Sequence, residues 1–214
     1  ALREGLSPQG EHYYPAFPYT SYTRMTQRDM RALYAYLMTL PESSRAIRPH
    51  NLDWPFSVRP MMSYWKARRF SPGEFVADPE KSTQWNRGAY LADALGHCGE
   101  CHTPRDYLGA SRRDYYMAGT CVGPEGVRVP NITPDRETGI GDWTYEQLVT
   151  FLGTGRRPDG GFTGSVMAEV LGTGSMRLTQ DDLHSLVTYL QSLPAIHNDL
   201  DTRCAQYDDS FIYE

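Results

Sequence analysis

The segment Cys98-Gly99-Glu100-Cys101-His102 constrains this chain more than any other feature. Two thiols three residues apart, with a histidine directly after them, match the attachment signature of c-type haem. The spacing has a chemical reason: the thiols add to the two vinyl groups on one porphyrin edge, and the adjacent imidazole then faces the iron. A zinc site would need two further ligands, usually a second C-x-x-C or paired histidines, and no second pair occurs. A thioredoxin-like redox pair would follow a strand in a βαβ unit, and the flanks carry no strand pattern. His97, just before Cys98, is expected to be exposed rather than a ligand.

Composition narrows the function classes. A length of 214 residues allows one or two compact domains, and a net charge of −5 argues against nucleic-acid binding and offers no basic patch for lipids. No apolar run of about 18 residues is present, so no spanning helix is expected. The opening Ala1-Leu2-Arg3-Glu4-Gly5 is not a signal peptide. Tyr outnumbers Phe by 15 to 7, which suits a wet interface or a cofactor edge.

Apolar periodicity predicts a helix over 85–95 leading into the motif. A second helix over 145–152 opens with a capping box, Thr144-Tyr145-Glu146-Gln147, and ends at Gly153 to Gly155. A third, over 180–193, follows Thr179 and stops at Pro194. This is the element order of a small all-α haem domain. Its ending occurs twice. Arg24-Met25-Thr26-Gln27-Arg28-Asp29-Met30 parallels Arg177-Leu178-Thr179-Gln180-Asp181-Asp182-Leu183, and Tyr36-Leu37-Met38-Thr39-Leu40-Pro41 parallels Tyr189-Leu190-Gln191-Ser192-Leu193-Pro194, both 153 residues apart. Upstream, Leu2 to Gly5 matches Leu152 to Gly155, with the intervening loop three residues shorter in the first copy. Such self-similarity marks two copies of one fold. The first copy lacks the haem motif, so residues 1–41 are expected to be the back half of a domain whose front half would precede Ala1. The alternative is a helical appendage that never bound haem. An isolated back half would leave its core face bare.

The expected division is 1–45 as that half domain, 46–79 as linker, 80–198 as a complete domain and 199–214 as a tail. Within residues 51–70, Trp54, Phe56, Met61, Met62, Tyr64 and Trp65 form an apolar stretch expected to pack between domains.

An electron-transfer haem needs a sixth ligand opposite His102, usually Met or His, and Met raises the potential. Met167 and Met176 are the candidates. Met167 is preferred because it is expected on a Gly-rich loop that can approach the porphyrin, whereas Met176 lies close to the Thr179 cap. A buried Met is more often core filler. In the first copy Met25 is the Met of the matching loop, flanked upstream by Phe17 and Tyr19; it is either a ligand or, like its counterpart Leu178, core. His12 is a weaker candidate. The stretch around Pro130 and Asn131 offers backbone groups to orient the His102 ring and meet a propionate, and Trp143 and Arg105 are candidate propionate donors. The competing reading is an ordinary capped loop.

Four stretches carry a family resemblance: Arg87-Gly88-Ala89-Tyr90-Leu91, Gly96 to Arg105, Pro130 to Asp135 with Thr138 to Trp143, and Met167-Ala168-Glu169-Val170. They resemble the multihaem cytochrome c subunits of bacterial periplasmic dehydrogenases for alcohols, fructose, aldehydes and nicotinate-type substrates. Tyr14 to Thr20 resembles their first haem domain, with Phe17 where some relatives carry Met, which favours Met25 as a ligand. The resemblance implies an all-α fold: a class I cytochrome c-like domain preceded by the C-terminal half of a second. It implies His102 as proximal and Met167 as distal ligand, haem c on residues 98–102, and a second haem contacted through Met25. It also implies a periplasmic electron carrier, without catalysis of its own, between a flavin, quinone or molybdenum dehydrogenase subunit and quinone or another cytochrome. Nucleic acid is no partner, and peripheral membrane association is compatible. Cys121 and Cys204 fall outside the family pattern; in an oxidising compartment two spare cysteines often pair, and a disulfide is expected rather than two free thiols. The rival function is a haem enzyme with a labile sixth ligand, of peroxidase or thiosulfate-oxidising type.

Overall fold

The computed structural model describes residues 1–205 except Ile47, Pro49, Asp53, Pro55 and Phe56. Phe56 and the tail beyond residue 205 therefore lie outside the described residues. The chain forms two compact units, Ala1–Val76 and Ala77–Glu214. Both are helical, and among the described residues pairing of extended chain is limited to isolated bridges. The all-α architecture matches the expected cytochrome c-like fold. Among the described residues no helix is long and apolar enough to cross a membrane.

The first unit holds α1 (Tyr19–Tyr22), α2 (Gln27–Leu37) and α3 (Met61–Arg69). Tyr19 is its fully buried centre, and its ring meets Phe70 edge-on at 5.0 Å. The Lys66 ammonium lies 5.2 Å over the same ring and donates to the carbonyls of Glu4 and Gly5. Burial pushes the Lys66 pKa down. Arg59 donates to the His12 carbonyl, and Phe75 N–H to that of Arg24. Residues 59–75, expected as linker, thus fold onto the first unit. Within the apolar stretch Met62 is buried while Trp54, Met61 and Tyr64 are exposed. Thr26 caps α2 by accepting from Asp29 N–H at 3.1 Å. No residue of α2 is buried, and Tyr34 and Leu37 are 65% and 50% exposed.

The second unit opens with α4 (Thr83–Tyr90), which runs on as a π-helical turn over Leu91–Leu95 and then gives way to α5 (Cys98–His102). The predicted helix over 85–95 is present but changes its winding at Leu91. α6 (Tyr145–Thr154) carries the predicted capping box between Thr144 and Gln147, and Gly155 ends it at φ 74°. α7 (Ser165–Thr173) and α8 (Gln180–Ser192) follow, and α9 (Leu200–Cys204) closes the described chain. α4 crosses α8 closely. A Cβ on Gly88 would stand 1.9 Å from the Ser185 carbonyl oxygen. Arg87 donates twice to Asp182, at 2.7 and 2.9 Å, and the Trp85 ring stacks edge-on to Tyr189 at 5.2 Å. Leu183, Leu186, Val187 and Leu190 are buried here.

The internal repeat extends to the backbone. Gly5 and Gly155 share positive φ (59° and 74°), as do Gly10 and Gly160 (83° and 86°). Between them the same bonds recur. Ser7 N–H to Glu11 O matches Arg157 N–H to Gly161 O, and Tyr13 N–H to Gly5 O matches Thr163 N–H to Gly155 O. The bridge between Leu6 and His12 matches that between Arg156 and Phe162. α2 and α8 occupy the same place in the two copies.

Candidate haem site

The five residues of α5 are the motif itself. His97 enters it in the left-handed region (φ 39°), which a non-glycine residue adopts rarely and which turns the chain sharply out of the π-helical turn. His97 is half-buried rather than exposed. The Cys98 and Cys101 thiols are free, on one turn of one helix. Burial, with Asp93 next, pushes the Cys98 thiol up to about 12, and burial raises Cys101 too. His102 is 6% exposed. Its Nδ1 lies 2.8 Å from the Pro130 carbonyl oxygen. A carbonyl only accepts, so Nδ1 carries the hydrogen and Nε2 keeps its lone pair. Burial lowers the His102 pKa and keeps the ring neutral, the form that binds a metal. These residues fit a covalently held haem: two thiols for its vinyl groups and an oriented neutral imidazole for its iron. Among the described residues no group of three or more His, Cys, Asp or Glu is arranged to hold a metal ion.

The neighbourhood of His102 is tied by buried polar bonds. Asn131 (3% exposed) donates to the Ile196 carbonyl at 2.8 Å and to Thr138 Oγ1, while its Oδ1 accepts from Thr133 N–H and Oγ1. Its side chain therefore fastens the end of the unit to the loop that holds His102. Arg105 donates to the Glu100 carbonyl and carboxylate. Trp143 is half-buried and meets Phe151 edge-on at 5.3 Å. Met167 lies on α7, half-buried, not on the loop expected for it. The reason is Gly164, which caps a segment whose Leu171 is fully buried and so anchors a helix. Met176 sits in a 3-10 turn and is 39% exposed. In the first unit Met25 is buried at 4%, its carbonyl accepting from Arg3, and His12 is half-buried with its pKa lowered by burial. Cys121 and Cys204 form a disulfide, with Cα atoms 5.3 Å apart.

Several residues of the site carry no sequence signal. Thr103 is buried and accepts from Met117 N–H, and Met117 adopts φ 62° so that its carbonyl can accept from Ile132 N–H. Asn198 donates to the Ala118 carbonyl, 80 residues away. Tyr116 and Tyr189 meet Asp93. Such pairings join distant positions of ordinary composition, and no motif announces them.

An all-helical unit with C-x-x-C-H on a short helix and a buried, carbonyl-oriented histidine defines a c-type cytochrome domain. No protein-family model matches the chain. It is 42% identical over 197 residues to the fructose dehydrogenase cytochrome subunit of Gluconobacter japonicus, covering 91% of this chain and 40% of that protein. It is 41% identical to a dihaem c-type cytochrome of Cereibacter sphaeroides (92% and 64%) and 35% identical to the cytochrome c subunit of the quinone-type alcohol dehydrogenase of Gluconacetobacter polyoxogenes (92% and 43%). Over nine-tenths of its length the chain is thus homologous to cytochrome c subunits of bacterial dehydrogenases, and it spans between 40% and 64% of the length of these relatives.

Proposed function

We propose that this chain is an electron-transfer cytochrome c subunit, with haem c held by Cys98 and Cys101 and ligated by His102 and Met167. The observation that carries it is the buried neutral imidazole of His102, fixed through Nδ1 by Pro130 with Nε2 left for iron. The haem supplies one-electron carriage. The protein orients His102 by the Pro130 carbonyl, locks that loop through Asn131, and excludes water by burying the ring. α7 sets Met167 on a rigid element, which suits a stable sixth ligand. We read Trp143 and Arg105 as flanking the haem edge, Arg105 with its charge shared with Glu100.

We read the donor as a catalytic dehydrogenase subunit and the acceptor as quinone or another cytochrome, in the periplasm; the relatives' names support the donor class. The Cys121–Cys204 disulfide suits an oxidising compartment. Residues 1–41 read as the back half of a second haem domain, with Met25 the candidate ligand there. The support is the repeated backbone and the uncovered face of α2, whose counterpart α8 is covered by α4.

The test is the visible spectrum with the mass of the peptide spanning Cys98 to His102. A covalent haem mass and a low-spin Met–iron signature are expected. Met167→Ala is expected to keep the covalent haem and turn the spectrum high-spin. An unchanged low-spin Met–iron spectrum in that variant would remove Met167 and return the role to Met176. A haem count per full-length polypeptide checks the half domain: two or more supports it.

A further inference from the structure

The haem motif is backed by a carboxylate that the reading above does not use. Asp93 lies on the π-helical turn, five residues before Cys98. The Tyr116 hydroxyl donates to its Oδ1 at 2.6 Å. The Tyr189 hydroxyl, from α8, lies 3.1 Å from both carboxylate oxygens and donates to them. Three separate elements converge on this one group. The cluster also touches the motif: a Cβ on Gly99 would stand 2.7 Å from Tyr116 Cε2, so the tyrosine ring rests on the backbone between the two cysteines.

The hydroxyls of Tyr116 and Tyr189 both donate to the Asp93 carboxylate. Two O–H donors on one carboxylate favour its ionised form. Burial, then the Asp93 charge, raises both tyrosine pKa values, so both hydroxyls stay protonated and keep donating. The π-helical winding is an uncommon way to leave an α-helix and recurs at functional sites. Here it shifts the register that an unbroken α4 would keep and sets Asp93 where both tyrosines reach it.

We propose that Asp93, held by Tyr116 and Tyr189, is a fixed negative charge that lowers the reduction potential of the haem attached at Cys98. The proposal rests on the haem-carrying reading above. The step is the passage of one electron from the dehydrogenase partner to the site. Asp93 opposes the electron's arrival and favours its departure, with no bond made or broken and no proton moved.

The test is a redox titration, followed by visible absorbance, of the holo-protein and of holo-variants. Asp93→Asn is expected to raise the reduced-to-oxidised ratio about tenfold at a fixed poise, which is about 59 mV for one electron. Asp93→Glu keeps the charge and is expected to titrate near the wild type. Asp201→Asn, at a carboxylate 85% exposed, is the control for a solvent-screened surface charge and is expected to leave the potential unchanged. If Asp93→Asn gives no holo-protein, Asp93→Ser replaces it with the same expectation. A neutral variant with covalent haem, an unchanged low-spin spectrum and the wild-type potential overturns the proposal while leaving the haem reading intact. Absence of covalent haem in the wild type overturns both. Loss of haem in both neutral variants but not in Asp93→Glu makes Asp93 a folding residue and also overturns the proposal.

Discussion

At the scale of single residues, Gly88 shows how one missing side chain positions the haem segment. Alanine in a helix interior is normally better than glycine by about 1 kcal/mol. At Gly88 the added Cβ would meet the Ser185 carbonyl oxygen at 1.9 Å and Tyr189 Cβ at 2.8 Å, both on the opposing helix. Overpacking of this kind costs about 3 kcal/mol, so Gly88→Ala is expected to destabilise by about 2 kcal/mol, against its propensity. Denaturant unfolding checks the sign; a variant as stable as the wild type would show that α4 and α8 do not cross there. His102 makes the complementary point. Its place beside Cys101 is legible because haem attachment fixes that spacing, whereas its carbonyl partner, 28 residues away, emerges only in the fold. Sequence marks Asn131 as a polar loop residue near the haem. Its side chain instead binds Thr133, Thr138 and the Ile196 carbonyl, a role that local sequence does not encode.

At the scale of elements, the pair Arg87 and Asp182 ties α4 to the first turn of α8. The Arg87 hydrogen bond holds the Asp182 carboxyl below the usual carboxylate range. A lowered native pKa means that the folded state binds fewer protons than the unfolded chain in this range. The contribution to stability is thus complete above the unfolded value near about 3.9 and fades as pH falls through the native one. Arg87 is 43% exposed, and solvent screening holds the pair to about 0.5–1 kcal/mol. Asp182→Asn is expected to lose that much at neutral pH and to converge with the wild type in acid, as followed by thermal unfolding at several pH values. Helices with explicit caps are readable: the box at Thr144 and the cap at Thr179 both form. α7 is not. Glycines at both ends make it look like a loop, and burial of Leu171 decides the matter instead. The π-helical turn is likewise illegible, since its apolar residues fit an ordinary helix equally well.

At the scale of the molecule, the Cys121–Cys204 disulfide spans a sequence separation of 83 and fastens α9 to the loop that follows the haem motif. Closing a loop of that length stabilises by up to about 4 kcal/mol in the chain-entropy account. The double variant Cys121→Ser with Cys204→Ser is expected to lose about 3 kcal/mol while keeping its covalent haem, because the haem thiols are a separate pair. Calorimetry with a haem stain on a denaturing gel reads both, and loss of the haem would show that the two pairs depend on each other. The duplication is legible at this scale because caps and apolar positions recur in register. The fold of residues 59–75 onto the first unit is not, since Lys66 and Arg59 reach backbone carbonyls that no sequence pattern marks.

The repeated turn at Gly5 to Gly10 and Gly155 to Gly160 bears on how such a chain evolves. The positive-φ glycines and the backbone bonds are kept, while Leu6 and His12 face Arg156 and Phe162 as their counterparts. The main-chain path is common to both copies, while the side chains upon it differ. Each copy can therefore diverge in chemistry without a new fold having to arise. The turn is the shared part, and the residues upon it are where the two copies differ in chemistry.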